Sequence, residues 1–116
     1  MREHMEPIEI QISAILYEDG GHWIAQGLEY DITAQATSLT DLPQRFAMKV
    51  VAEVAISLDL ERKPLEGLGE APTMFWRMFE KASVDLSIDA PLLKIAGDGL
   101  TPRIVPRMKL GQLQAA

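Results

Sequence analysis

Hydrophobic and polar residues near the start of the chain alternate one by one. Apolar residues occupy every second position from Ile8 to Leu16, which is the spacing of a half-buried strand. The Glu18-Asp19-Gly20-Gly21 segment then supplies the residues of a tight hairpin turn. A second strand is predicted from about His22 to Tyr30, where Gly27 indicates a bulge or close packing, and a third from Ile32 to Ala36. Because no helix separates these strands, we expect antiparallel pairing.

The period changes from two to about four after Ser38, which predicts a helix from about Leu39 to Asp59. Thr40 is the favoured cap, because it places Pro43 in the first turn. The predicted core stripe consists of apolar residues four apart, namely Leu42, Phe46, Val50, Val54 and Leu58. Other apolar residues fill most of the remaining circumference. The helix therefore needs cover on a second side, either from the C-terminal half of the chain or from a second copy.

The C-terminal half has a weaker pattern. Residues 61–71 form a predicted linker, and Pro72 opens a second helix whose apolar stripe comprises Met74, Phe75, Met78, Phe79 and Ala82. One irregular edge strand is predicted around Arg103 to Val105. With 116 residues we expect one domain, with a β-β-β-α core at 8–60 and an extension at 61–116. The predicted fold is α+β: a three- to four-stranded antiparallel sheet, one long helix on one face, and a C-terminal second helix.

The order strand, turn, strand, strand, helix resembles the HicB-like family of small antitoxin-type domains. The residues that carry the resemblance lie in the hairpin, in the second and third strands and just after them: Tyr17, Asp19, Gly20, Gly21, Trp23, Ala25, Gln26, Leu28, Asp31, Ile32, Gln35 and Thr37. The helix that begins near Leu39 completes the pattern. Ala36 stands where the family usually has a glycine. The resemblance covers roughly residues 8–60.

This resemblance implies a partial ribonuclease-H-like fold without nuclease activity. It also implies a protein that oligomerises and binds a small basic toxin that cleaves RNA. Many members of the family carry a C-terminal DNA-binding motif, and residues 61–116 contain no recognisable helix-turn-helix or ribbon-helix-helix.

The amino-acid composition limits the kinds of partner and of chemical site that the protein can have. The net charge is −6 and the pI about 4.8, which disfavours binding to nucleic acid and favours a basic protein partner. The chain has no cysteine, which excludes disulfides and cysteine-based zinc sites. It contains neither an apolar run of transmembrane length nor a signal peptide at its first residues, so we expect a cytoplasmic protein without a membrane role.

Few residues suit catalysis. Four carboxylates, Glu18, Asp19, Glu29 and Asp31, flank the second strand, and a metal-dependent nuclease that uses them is the enzymatic alternative. The simpler interpretation is that they are turn and surface residues. His4 and His22 are the only histidines and have no partners at metal-ligand spacing. We therefore expect no enzyme, no cofactor and no metal.

The remaining candidate site is an interface. The wide apolar circumference of the first helix and the methionine-rich, aromatic second helix predict self-association, most simply as a homodimer. The predicted interface residues are Met48, Val51, Phe75, Trp76 and Phe79. The rival hypothesis is intramolecular burial, in which the second helix folds back on the first, or packs against the sheet, within one chain. The basic tail, with Arg103, Arg107 and Lys109, leaves open a further alternative, a DNA-binding regulator.

Overall fold

The computed structural model describes residues 9–86 and 103–112, with side chains in the last strand described from Arg107 onward. Ile8, His4 and the Arg103 side chain therefore lie outside the described residues. The chain forms β1 (Glu9–Asp19), β2 (His22–Gly27), β3 (Thr33–Ala36), α1 (Leu42–Asp59), α2 (Thr73–Lys81), β4 (Val84–Leu86) and β5 (Arg103–Leu110). The strands form one sheet in the order β3-β2-β1-β5-β4. The predicted α+β class is confirmed.

The predicted hairpin is present. Asp19 pairs with His22 across a two-residue turn, and the antiparallel register continues to Ala14 opposite Gly27. Gly20 and Gly21 have φ of 61° and 84°, the left-handed values that a tight hairpin turn requires. β2 ends at Gly27, three residues earlier than predicted, because the chain turns there. The Gly27 N–H donates to the Ile32 carbonyl at 2.8 Å.

The prediction of a three- to four-stranded antiparallel sheet is wrong in strand number and in direction. Within residues 9–86 and 103–112 the sheet has five strands, and it is mixed because β5 runs parallel to β1 from Glu9 opposite Arg103 to Leu16 opposite Leu110. β5 is also not an edge strand, since it lies between β1 and β4. A parallel partner so distant in the sequence leaves no local turn signal, so the pattern of either strand alone does not indicate it.

Pro106 explains why β5 has a weak strand pattern. Proline lacks the N–H that a strand between two neighbours needs, so it is normally confined to sheet edges. Pro106 lies opposite Ile12 of β1. On the other side of β5, β4 pairs only with residues from Met108 to Leu110 in the described part of the chain. Among the described residues, Pro106 therefore has a strand partner on the β1 side alone, which makes the proline tolerable.

α1 covers one face of the sheet, called here the first face. Ile10, Ile12, Ala14 and Leu16 of β1 point toward it and pack with a buried row of the helix: Leu42, Phe46, Val50 and Val54. Four of the five predicted stripe residues are thus in the core. Leu58, the fifth, is partly exposed. The helix begins at Leu42 rather than Leu39, and its N-cap is Asp41 rather than Thr40.

α2 lies on the opposite face, the second face. Ile15 and Tyr17 of β1 point toward it and form a smaller core with Leu28, Ala71 and Phe79. α2 packs within the chain, as the rival hypothesis of intramolecular burial expects, but its cover is the sheet and not α1, because the two helices pack against opposite faces of the sheet. In the linker that joins the two helices, the Leu65 N–H donates a hydrogen bond to the Ser57 hydroxyl at 3.0 Å. This bond holds the linker against α1.

Candidate interaction surfaces

α2 is held to the second face by aromatic packing. The Phe79 side chain is only 8% exposed. The rings of Phe75 and Tyr17 stack with centroids 6.1 Å apart and planes 27° from parallel. Phe75 and Trp76 are partly buried against the same small core. The apolar stripe of α2 is thus largely used within the chain.

Two cations of the basic tail lie against Phe79. The Lys109 ammonium is 4.5 Å from the ring centroid and also donates to the Phe79 carbonyl oxygen at 3.4 Å. The Arg107 guanidinium carbon lies 5.5 Å from the same centroid. Cations at these distances are attracted by the ring face. Both side chains therefore take part in fixing α2, which weakens the alternative that the tail serves DNA binding.

A groove of about 930 Å³ opens at the hairpin end of the sheet, beside α2. Its lining includes Trp23, Met74, Met78, Arg77 and Lys81, and Glu18 is the acidic residue among the described lining residues. The volume falls within the range of ligand pockets. The groove thus combines apolar and cationic side chains.

The candidate carboxylates do not form one cluster. Glu29 accepts two hydrogen bonds from Ser13, one from its N–H at 2.6 Å and one from its hydroxyl at 2.8 Å. Asp31 accepts a hydrogen bond from the Gln26 amide at 2.7 Å. Glu18 lies five residues along β1 from Ser13, a distance of about 17 Å in a strand. Glu29 and Glu18 are thus at opposite ends of the hairpin.

The described residues contain no assembled metal site. Within residues 9–86 and 103–112, no group of three or more His, Cys, Asp or Glu side chains is placed to hold an ion. Every buried side-chain nitrogen and oxygen in this part of the chain has a hydrogen-bond partner. The polar groups beneath the surface therefore serve the fold, and none is left pointing at a missing ligand.

A row of exposed apolar residues lies on α1, on the side away from the sheet. Met48 and Ile56 are 52% and 53% exposed, and Ala52 between them is also exposed. Residues spaced by three and four lie on one side of a helix, so Arg45 and Asp59 continue the same row. We call Arg45, Met48, Ala52, Ile56 and Asp59 the outer stripe. All five side chains are exposed.

The structure divides the five predicted interface residues between two faces of the molecule. Met48 and Val51 lie on α1, and Phe75, Trp76 and Phe79 lie on α2 across the sheet. Only Met48 belongs to the outer stripe, since Val51 is partly buried against the first-face core. No single flat surface can contain all five.

The outer-stripe residues Arg45, Ala52, Ile56 and Asp59 were not among the predicted interface residues. The signal for them is a second i, i+4 row, Met48-Ala52-Ile56, directly opposite the buried row. Sequence alone does not show which of two apolar rows faces the sheet. The structure resolves this by burying Phe46, and the other row is then the exposed one.

Tyr17 has a clearly shifted pKa. Burial raises the pKa of the Tyr17 phenol above its ordinary value of 10.0, and the nearby negative charge of Asp19 raises it further. Tyr17 therefore stays neutral beneath α2 under physiological conditions. Its role is packing against Phe75, and nothing near it suggests proton transfer.

Comparisons of the chain with protein-family models, with curated proteins and with solved structures found no match. Neither helix in the described ranges has the length and apolar character needed to cross a membrane.

Proposed function

We propose that this chain is a non-catalytic protein-interaction domain that self-associates and binds a small basic protein, in the manner of a HicB-type antitoxin. The observation that carries the proposal is the outer stripe. A helix that already buries Phe46, Val50 and Val54 leaves a second apolar row with Met48 and Ile56 more than half exposed. Helices that are apolar on two sides are usually covered on both.

The positions of the polar residues support a non-catalytic role. The Glu29 carboxylate accepts both available hydrogen bonds of Ser13, and the Asp31 carboxylate accepts one from the buried Gln26. A catalytic carboxylate needs a pKa or a metal environment matched to its task, together with access to substrate. These two carboxylates instead connect neighbouring segments of the fold.

Charge supports a basic partner. The Asp31 N–H donates to the Gly69 carbonyl at 2.7 Å, and the Ala71 N–H donates to the Leu28 carbonyl at 2.9 Å. These bonds hold the linker beside the end of β2, so that the exposed carboxylates of Asp31 and Glu70 lie in adjacent segments. In a chain of net charge −6, such a surface attracts cationic proteins and speeds their association.

The proposal is tested by co-expression with the short basic protein encoded beside this chain, if its gene neighbourhood contains one. We expect the two proteins to co-purify, and we expect salt to weaken the complex because charge contributes to it. Growth of cells that express the basic protein should recover when this chain is present. Failure to co-purify at low salt, with both proteins folded, would contradict the toxin-binding part of the proposal.

The nuclease alternative has its own test. Purified protein is incubated with RNA and Mg²⁺ or Mn²⁺, beside Glu29→Gln and Asp31→Asn variants. We expect no cleavage above a buffer control. Cleavage by the parent protein that both variants lose would instead assign these carboxylates to catalysis.

A further inference from the structure

The outer stripe has a symmetric arrangement about Ala52. Met48 and Ile56 lie four residues before and after it, and Arg45 and Asp59 lie seven residues before and after it. The small residue is at the centre, large apolar residues flank it, and opposite charges stand at the two ends. If a second copy of the stripe is turned end for end, each position meets a chemically complementary one.

We infer that the outer stripe is a two-fold interface in which the α1 helices of two copies pack antiparallel and cross at Ala52. This inference rests on the self-association in the proposed function and specifies its geometry. Residues whose numbers add to 104 face each other across the pair. Met48 of one copy then packs against Ile56 of the other, and Arg45 approaches Asp59, each contact occurring twice as a two-fold axis requires.

Electrostatics favours this direction over the parallel one. In the antiparallel pair both Arg45–Asp59 contacts join opposite charges, whereas a parallel pair in register places Arg45 against Arg45 and Asp59 against Asp59. The helix dipoles also oppose each other in the antiparallel pair, which is the favourable arrangement. Ala52 at the crossing has only a methyl side chain. The two axes can therefore approach to the lower end of the usual 8–10 Å spacing of packed helices.

The occupant is a second copy rather than the basic partner because the stripe carries one charge of each sign. A basic protein would gain from Asp59 but would be repelled by Arg45 and by the neighbouring Lys49, which is exposed on the same side of α1. A single helix pair buries less area than a standard interface, so we expect a dissociation constant in the micromolar range.

A charge-swap experiment tests the geometry. Dimer dissociation constants are measured by analytical ultracentrifugation for the parent, Arg45→Asp, Asp59→Arg and the double variant. Each single change replaces two attractive contacts by two repulsive ones and should weaken the dimer about tenfold. The double variant restores opposite charges at both contacts and should return to within about threefold of the parent.

Neither single variant should destabilise the fold. Arg45→Asp places an acidic residue near the start of α1 and Asp59→Arg a basic residue near its end, and both charges interact favourably with the helix dipole. Glu80→Arg on α2 is the matched control for Asp59→Arg: it makes the same reversal of an acidic residue at an exposed position on the other face of the sheet, outside the groove lining. We expect its dissociation constant to equal that of the parent. If the double variant is weaker than both singles, or if neither single changes association, the antiparallel geometry is wrong.

A cysteine experiment locates the axis independently. The chain has no cysteine, so Ala52→Cys introduces one thiol, which faces its own copy across the two-fold axis. Mild oxidation should give a covalent dimer, while Met74→Cys, at a 50% exposed position on α2, should crosslink far less. Equal crosslinking of both variants would overturn the assignment.

The two proposals fail in distinguishable ways. A parent protein that stays at 12.9 kDa up to high micromolar concentration overturns this inference and the self-association. Binding of the basic partner is then measured separately. If Arg45→Asp loses dimerisation and still binds that partner, the stripe and the partner surface are distinct, as we propose.

Discussion

α1 and α2 differ in how they use their apolar residues. α1 buries Phe46 completely against the first face and still exposes Met48 and Ile56 on its outer side. α2 has a single narrow apolar stripe and buries Phe79 from it on the second face. The wide apolar circumference of α1 exceeds what one sheet can cover, whereas α2 keeps every residue of its stripe except Met74 at least partly buried. A surplus of apolar surface beyond the needs of the fold therefore points to α1 as the interface helix.

A core mutation should lower the free energy of unfolding by different amounts on the two faces of the sheet. Phe46→Ala removes a fully buried ring from the larger core and should lower the free energy of unfolding by about 3–5 kcal/mol. Phe79→Ala lies in the smaller core and should cost about 2–3 kcal/mol. Urea denaturation of both variants measures the difference. An equal or reversed order would show that α2 contributes as much to the fold as α1.

Two glycines sharpen the comparison of the faces. A Cβ at Gly27 would lie 2.7 Å from the Tyr30 carbonyl oxygen and 3.1–3.2 Å from Ile12 and Phe46 on the first face. A Cβ at Gly111 would lie 2.7 Å from Cδ1 and 3.0 Å from Cγ1 of Ile15 and 3.9 Å from Cε of Met78, so it would meet side chains of the second face and no backbone atom among these nearest contacts. Backbone cannot move as easily as the end of a side chain.

We therefore expect Gly27→Ala to cost about 2–3 kcal/mol and Gly111→Ala about 1 kcal/mol or less, measured by urea denaturation. Neither glycine has a left-handed φ, so the comparison isolates crowding from backbone strain. A Gly111 variant as unstable as the Gly27 variant would show that the second face is packed as rigidly as the first.

Where α2 does not reach, the second face depends on hydrogen bonds. Glu29→Ala removes both acceptors of Ser13 and leaves a partly buried N–H without its partner, which should cost about 1–2 kcal/mol. Glu29→Gln keeps one acceptor and should cost less. Comparing the two by denaturation distinguishes the loss of hydrogen bonds from the loss of charge. Equal costs would assign the effect to charge.

The local part of the fold could be predicted from the sequence. Alternation and the Gly20-Gly21 turn fix the β1–β2 hairpin, and Gly27 indicated the close packing that the structure confirms. β5 could not be predicted in its place, because Pro106 breaks its pattern and its partner β1 lies far away in the sequence. Its pairing depends on tertiary contacts that no local spacing encodes.

The candidate interface could be predicted only in outline. The apolar circumference of α1 predicts that a second side of the helix needs cover, and Met48 is among the predicted interface residues. The same reasoning predicts Phe79 as an interface residue, but its ring is buried within the chain beside Lys109. Periodicity finds apolar rows, but only the packing of each helix shows which row is left over.

The smallest predicted effect concerns Tyr17, which lies beneath α2 on the second face. Because its pKa is raised in the folded state, folding favours the neutral phenol. This contribution is fully present below the ordinary pKa of 10.0 and is lost as pH rises through the folded-state pKa. The parent should therefore lose stability at alkaline pH relative to Tyr17→Phe, which keeps the ring against Phe75 and cannot ionise.

Urea denaturation of the parent and Tyr17→Phe at neutral pH and above pH 10.0 measures this change. The titration can also be observed directly. The chain has two tyrosines, so in Tyr30→Phe the tyrosinate absorbance reports Tyr17 alone. We expect its midpoint above 10.0 in the folded protein and a return toward 10.0 in urea. If the titration midpoint of Tyr17 in the folded protein is at or below 10.0, α2 does not shield this side chain from solvent on the second face. The contrast between a covered second face and an outer stripe left open on α1 would then lose its clearest local support.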